Sequence, residues 1–408
     1  MFSRERVITT LEHKEPDRIP IDLGGMRSTG ITAIAYNNLK RFLAIDGGRT
    51  RVYDYIQQLA EVEIEILKMI GGDILPVSIL IIGPKSWRKS ILPDGSPCEV
   101  PDTFNPVVMP DGSQVIYNDK GVMIGRRPKG GYYFDSIYHP LENVFSIEAL
   151  EEKEDELCST LWSASPVSEK IVNALEIHAK YLYENTEYAL MLNDGGGVYE
   201  WAQDLMGWNT FMVNLLKNPD VISTLLDKLV EININRLQKI LPAVNKYIQI
   251  VQIADDLGTQ QGPQISLDLY REIVKPRHKK ICQFIKENCD AYIFLHTCGA
   301  IREFIPDLIE IGVDIINPVQ VSAKGMDTAE LKEEFGDKIV FWGGGCDTQR
   351  VLPLGTPKIV EKEVKKRIKD LAPNGGFVFT QVHNIQPEVP PENIMAMYRA
   401  VKKYGGYS

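Results

Sequence analysis

Tyr292-Ile293-Phe294-Leu295-His296-Thr297-Cys298-Gly299 is an apolar, β-prone run that closes on two soft metal ligands and a glycine. In an extended chain residues i and i+2 share a face, so His296 and Cys298 project side by side. Gly299 then lets the chain turn away. Imidazole and thiolate are ligands that zinc prefers. A pair is not a site, so further donors must come from elsewhere in the chain, together with a fold that gathers them.

Working outward from this strand, helix and strand signals alternate. C-terminal to it, helices are expected at 300–311, 327–335, 356–372 and 391–403, with strands at 313–317, 339–342 and 376–380. N-terminal to it, helices are expected at 147–155, 166–184, 199–206, 209–216, 218–240 and 266–288, with strands at 188–193 and 247–253. The first part of the chain reads as a helix at 3–13 with Ser3 as N-cap. Arg6 stands at N3, where a capping box needs Glu or Gln. A turn at Glu15-Pro16-Asp17-Arg18, a strand at 19–23, helical stretches near 30–45 and 54–70, and a strand at 73–77 follow. Eight strands mostly separated by helices are the arithmetic of a (β/α)8 barrel. A doubly wound open sheet is the alternative, but no strand is followed by a glycine-rich dinucleotide fingerprint. Gly343-Gly344-Gly345 lacks the spacing. Residues 84–140 differ: Asp94-Gly95, Asp111-Gly112 and Asn118-Asp119-Lys120-Gly121, each between short β-prone runs, are hairpin signals. The expectation is one α/β TIM-barrel domain over 1–408 with an antiparallel β insertion at 84–140, a lid or cap over one end.

Bulk properties narrow the function. A chain of 408 residues is long enough for two or three small domains or one large barrel with insertions. Its 44% hydrophobic and 25% charged content is ordinary for a globular protein. A net charge of −10 argues against nucleic acid or anionic membrane as a partner. No apolar run reaches the roughly 18 residues of a membrane span, and the N-terminus opens into an amphipathic helix rather than a signal-peptide core. The six cysteines, at 98, 158, 282, 289, 298 and 346, show no disulfide-framework spacing. A cytoplasmic location is expected.

Barrel chemistry sits at the C-terminal ends of the strands. Six strands end there in polar residues: Asn193-Asp194, Asp255-Asp256, His296-Thr297-Cys298, Asn317-Pro318-Val319-Gln320, Cys346-Asp347 and His383-Asn384. Cys346 and His383 are both candidates for a third metal ligand, and spacing does not separate them. Asp255 and Asp256 are the candidates for acid–base or orienting work, and adjacent strand residues point oppositely, so at most one faces the mouth. Arg27, Asp194 and Asn317 are expected to bind substrate, Arg27 through an anionic group. Asp22, Glu200 and Asp347 are weaker candidates.

Several segments carry a resemblance: Glu15-Pro16-Asp17-Arg18-Ile19-Pro20, Ala254-Asp255-Asp256-Leu257-Gly258-Thr259-Gln260, His296-Thr297-Cys298-Gly299, Gly355-Thr356-Pro357 and Pro390-Pro391-Glu392-Asn393-Ile394. On these the chain resembles the uroporphyrinogen decarboxylase superfamily over nearly its whole length, and within it the zinc-dependent corrinoid methyltransferases. The decarboxylases carry an arginine-rich segment that grips porphyrinogen carboxylates; here the matching residues are Gly24 to Gly30, which points away from that substrate. The methyltransferases hold zinc with His-x-Cys and a later cysteine shortly before a Pro-x-x-Pro-x-Glu-Asn stretch. Alignment on Pro387, Pro390, Glu392 and Asn393 places His383 where that cysteine would be. The resemblance therefore implies zinc on His296, Cys298 and His383, a corrinoid (cobalamin) carried on a partner protein, and a small methylated substrate, with a homodimer allowed. Imidazole in place of thiolate makes zinc more electron-poor, which favours drawing a methyl group from an ether oxygen. Transfer from methyl-corrinoid to a thiol, and decarboxylation, are the alternatives.

Overall fold

A computed structural model describes residues 1–408 apart from 46, 163–165, 194, 195 and 408. Strand five, Tyr292–His296, pairs in parallel with strand four, Ile250–Ala254, and strand six, Ile315–Asn317. The register aligns Ala254, His296 and Asn317 across the three strands, so the polar strand ends meet at one level. The parallel sheet continues outward in sequence order. Strand three is Ala189–Asn193 and strand two is Ile74–Ser78; strand seven is Val340–Trp342 and strand eight is Phe377–Val378. Residues 20–22 take the place of the first strand. Asp22 N–H donates to the Phe379 carbonyl and Phe379 N–H to the Pro20 carbonyl, both at 2.8 Å, while Asp73 N–H donates to the Ile21 carbonyl at 2.8 Å. Ile21 thus bridges both edges of the sheet, and the curled sheet has the TIM-barrel form.

Side chains alternate as a barrel requires. Ile74, Met191, Ile250, Phe294, Ile315 and Trp342 form the interior cluster. Val7 and Leu11 of the first helix, Ser3–Leu11, join it. That helix closes the N-terminal end of the barrel: Arg4 N–H reaches the Glu187 carbonyl ahead of strand three, and Gly376 N–H reaches Thr10 ahead of strand eight. The C-terminal end stays free for a site. The outer helices, among them Glu169–Asn185, Pro219–Val244 and Pro357–Leu371, bury their apolar faces against the barrel wall.

Two expectations need correction. Ser3 is not the N-cap: the helix begins at Ser3, Glu5 accepts from the Phe2 N–H at 3.1 Å, and Ser3 Oγ donates instead to Asp73 at 2.7 Å. The helix expected near 54–70 is a hairpin followed by a shorter helix, with strands Val52–Asp54 and Leu59–Ala60 before Ile64–Ile70. Asp54 Oδ1 accepts the N–H groups of Ile56 and Gln57, which turns the chain back before a helix can start.

Between 87 and 136 the chain forms two antiparallel sheets. Trp87–Ile91 pairs with Pro97–Pro101, and Val107–Val108, Gln114–Tyr117, Met123–Arg127 and Asp135–Ser136 make a four-stranded sheet. Phe134 N–H donates to the Ile56 carbonyl at 3.0 Å, and Tyr133 Oη donates to Gln386 Oε1, which ties this region to the hairpin and to the loop after strand eight.

Candidate metal centre

His296 is the last residue of strand five, two residues on from the interior Phe294, so its ring faces the barrel axis at the mouth. Nδ1 of the ring lies 2.6 Å from Asn317 Oδ1, and Asn317 Nδ2 donates to the Trp342 carbonyl at 2.8 Å. The carbonyl partner fixes the orientation of the amide, so its oxygen accepts from Nδ1–H and leaves the Nε2 lone pair free. Ser28 Oγ, at 3.3 Å from Nε2, and Cys298 Sγ, at 3.4 Å, stand around that lone pair.

Cys298 is held through its backbone: its N–H donates to Asp256 Oδ1 at 2.6 Å. That carboxylate oxygen also lies 3.8 Å from His296 Nε2. Burial, then the negative charge of Asp256 and Glu200, pushes the Cys298 thiol well above its ordinary range. The Glu200 carboxyl is likewise pushed well up, first by burial and then by Asp256 and Asp255; the Asp256 N–H and Arg27 oppose this. Acidic groups and a thiol crowd one point, and a bound cation would reverse the penalty on each.

His383, in the loop after strand eight, completes a group with His296 and Cys298 in which one ligand atom from each lies within 4.8 Å of the others. Its ring stands edge-on to that of His296, with centroids 5.6 Å apart. Burial and the neighbouring His296 lower its pKa to about 3, so the ring is neutral, as a metal ligand must be. His383 is less prepared than His296. The Asn384 N–H points at its Nδ1 from 2.8 Å, which places the ring proton on Nε2. Ligation through Nε2 therefore requires that proton to move. Cys346, the other candidate, lies fully buried in the outer core with its thiol pushed up by burial, and is not part of the group. One imidazole set by a carboxamide, one thiol and a second neutral imidazole are a donor set that fits zinc.

The remaining candidates separate. Asp256 faces the cluster and Asp255 does not. Asp255 is buried, accepting from the N–H groups of Val198 and Glu200 at 2.8 Å each and contacting His278 Nε2 at 2.8 Å. It anchors the start of helix Tyr199–Met206 and so sets where Glu200 stands. Asn317, expected to meet substrate, stands behind His296 with both ends of its amide engaged. Asp22 is buried under Trp342 and Gly25, and burial raises its pKa to about 6. Asp347 accepts the Gln349 N–H at 2.8 Å as a turn cap. Asp194 lies outside the described residues. Arg27 is at the mouth: its Nε donates to Asp54 Oδ2 at 2.6 Å and its guanidinium lies 5.0 Å from the Trp162 ring centre.

A cavity of about 650 Å³ opens beside the cluster. Trp162, Tyr133, Ser136, Gln57, Gln386 and His383 are among its lining residues. Sequence reasoning passed over Ser28, Trp162 and Gln386. Ser28 carried a signal, since it falls in the segment that replaces the arginine-rich one; Trp162 carried none.

The chain is a parallel barrel with soft donors, able to hold a metal ion, gathered at its C-terminal mouth. Residues 188–404, just over half of the chain, match the family Uroporphyrinogen decarboxylase (URO-D), and the chain belongs to that family. Curated relatives include uroporphyrinogen decarboxylases from Chlorobium phaeovibrioides, 27% identical over 177 residues (41% of this chain, 48% of the relative), and Chlorobium limicola, 26% over 220 residues (52% and 55%). The chain spans about half the length of the curated relatives it matches. Among solved structures, a methyltransferase from Methanosarcina mazei has the same fold, with a TM-score of 0.59 at 16% identity over 99% of both chains. Among the described residues no helix is long and apolar enough to cross a membrane.

Proposed function

We propose that this chain is a zinc-dependent methyltransferase that moves a methyl group from a small methoxy substrate to a corrinoid carried on a partner protein. The His296–Cys298–His383 group, with its ligand atoms within 4.8 Å of one another, carries the proposal. The end-to-end likeness to a barrel named as a methyltransferase supports it. Zinc held by these residues supplies Lewis acidity toward an ether oxygen, and two imidazoles with one thiolate keep it electron-poor. Asn317 keeps Nε2 of His296 aimed at the site. Asp256 fixes the backbone of Cys298. Asp255 holds the helix start that carries Glu200. The cavity beside His383 is of a size for one small aromatic or aliphatic methoxy compound. Arg27 is held to Asp54 through Nε, and among the described residues its Nη groups make no hydrogen bond, which leaves them for an anionic substituent. The corrinoid partner docks over the mouth, because the methyl group must pass directly between two reactive centres.

The test is metal content of the purified protein together with methylcobalamin formation from cob(I)alamin and a panel of methoxy compounds. About one zinc per chain is expected, with three protein ligands and one open position. His296→Ala and Cys298→Ala are expected to lose both zinc and transfer. A zinc-free wild type, or Cys298→Ala that binds zinc as well as wild type, overturns the proposal. The curated relatives favour a second reading, decarboxylation of an acidic substrate. Release of carbon dioxide from uroporphyrinogen by metal-stripped protein would select it.

A further inference from the structure

A second cavity, of about 590 Å³, lies on the outer face of strand two. It is enclosed by helix Ile64–Ile70, helix Glu169–Asn185 and the hairpin strand Val52–Asp54. It shares no lining residue with the cavity at the metal centre. Leu23, Val62, Leu67, Leu75 and Leu182 give it apolar walls. An apolar recess with a few convergent polar groups is the ordinary form of a small-molecule site.

Three polar side chains line this recess without a hydrogen-bond partner among the described residues. Tyr53 is only 6% exposed, and its hydroxyl meets no protein group. Burial and Asp54 raise its pKa, so it stays a neutral hydroxyl. Glu61 Oε2 is buried and makes no hydrogen bond to a described residue; its ion pair with Arg51 Nη1 is long, at 3.8 Å. His178, half-buried on helix Glu169–Asn185, makes no side-chain bond, and burial lowers its pKa. Native proteins rarely leave a buried polar atom without a hydrogen bond, because it costs the desolvation of that group, and Glu61 Oε2 is such an atom. Glu63, by contrast, is fully used: it accepts from Lys40 Nζ, Tyr36 Oη and the Arg49 N–H.

We propose that this recess binds a primary amine with an apolar body. A phenolic oxygen, a carboxylate and a neutral imidazole can each accept a hydrogen bond, and a primary ammonium offers three donors. The ammonium supplies the countercharge that Glu61 lacks within hydrogen-bond distance. Of the charged lining residues Glu63 is already neutralised by Lys40, which leaves Glu61 and Glu65 against Arg49. The leucine walls take the apolar body. The inference is independent of zinc and of methyl transfer.

Isothermal titration with 2-phenylethylamine, 2-phenylethanol and 3-phenylpropanoate tests it, since the three differ in the polar head. Saturable one-site binding of the amine is expected, with the alcohol and the carboxylate weaker by at least about tenfold, the scale of one charge-assisted hydrogen bond. Glu61→Gln should bring amine and alcohol to the same affinity. Leu182→Trp, which fills the recess, should abolish binding. His296→Ala should bind the amine as wild type does. Absence of saturable amine binding, equal binding of amine and alcohol by wild type, or unchanged amine affinity in Glu61→Gln overturns the proposal. Loss of amine binding in His296→Ala would place the amine at the metal centre and overturn it as well.

Discussion

Asn317 decides which nitrogen of His296 is free. Its amide is fully buried between the imidazole and the Trp342 carbonyl, bonded to both. Groups that orient a ligating histidine typically change metal affinity by about 10–100-fold when lost. Asn317→Ala is therefore expected to weaken zinc binding on that scale in a chelator competition, while the three ligands remain in place. Affinity equal to wild type would mean that the tautomer of His296 does not need this amide. At this scale the sequence was readable where chemistry and position coincide. His296 and Cys298 stand out because soft donors at i and i+2 close an apolar strand. His383 emerges only by alignment on the prolines that follow it. Which of Asp255 and Asp256 faces the cluster was not legible, because the partners of Asp255, Val198, Glu200 and His278, come from other elements.

Two loops cross beneath the cluster, and the crossing explains why Asp255-Asp256-Leu257-Gly258 and His296-Thr297-Cys298-Gly299 both end in glycine. Gly299 has φ +89°, and a Cβ there would lie 2.3 Å from the Gly258 carbonyl carbon. Gly258 N–H donates to the Cys298 carbonyl at 3.1 Å, so the same crossing holds the thiol-bearing residue. A side chain that can neither adopt the backbone conformation nor fit the space costs more than the roughly 1 kcal/mol of an ordinary glycine substitution. Gly299→Ala is thus expected to lower the urea midpoint and to reduce zinc occupancy together. A variant with full stability but no zinc, or the reverse, would separate the crossing from the site. Elements were legible wherever periodicity ran long, as in the helices around 169–185 and 219–244. The helix expected near 54–70 failed because the break is made by one carboxylate, Asp54, folding onto two backbone N–H groups. A hydrophobic pattern does not carry that information.

Closure of the whole barrel rests on residues far from the mouth. The first strand is a short bridge through Ile21, too brief to hold itself by ladder bonds. Asp73 does that work: its carboxylate accepts from Ser3 Oγ, Arg6 Nη1, both Nη groups of Arg18 and the Ile21 N–H, at 2.7 to 2.9 Å. Glu15-Pro16-Asp17-Arg18-Ile19-Pro20 is therefore a buckle, with Asp17 clamping Arg6 and Arg18 reaching Asp73. The C-terminal signatures are structural in the same way. Thr356 caps the helix that Pro357 opens, and Asn393 donates to the carbonyls of Leu352 and Gly355, fastening the last helix to that turn. Motifs that mark the family thus mostly report the fold, and only the strand ends report chemistry, which is why the barrel was legible well before the reaction. Removing a buried, multiply bonded carboxylate typically costs about 3–5 kcal/mol, because the donors it served lose their acceptor where water is scarce. Asp73→Ala is expected to destabilise the protein by that amount in equilibrium urea unfolding, with Arg18 and the Ile21 N–H stripped of this acceptor and Arg6 paired with Asp17 alone. A loss below about 1 kcal/mol, the range of an exposed pair, would show that Ile21 closes the barrel without the buckle.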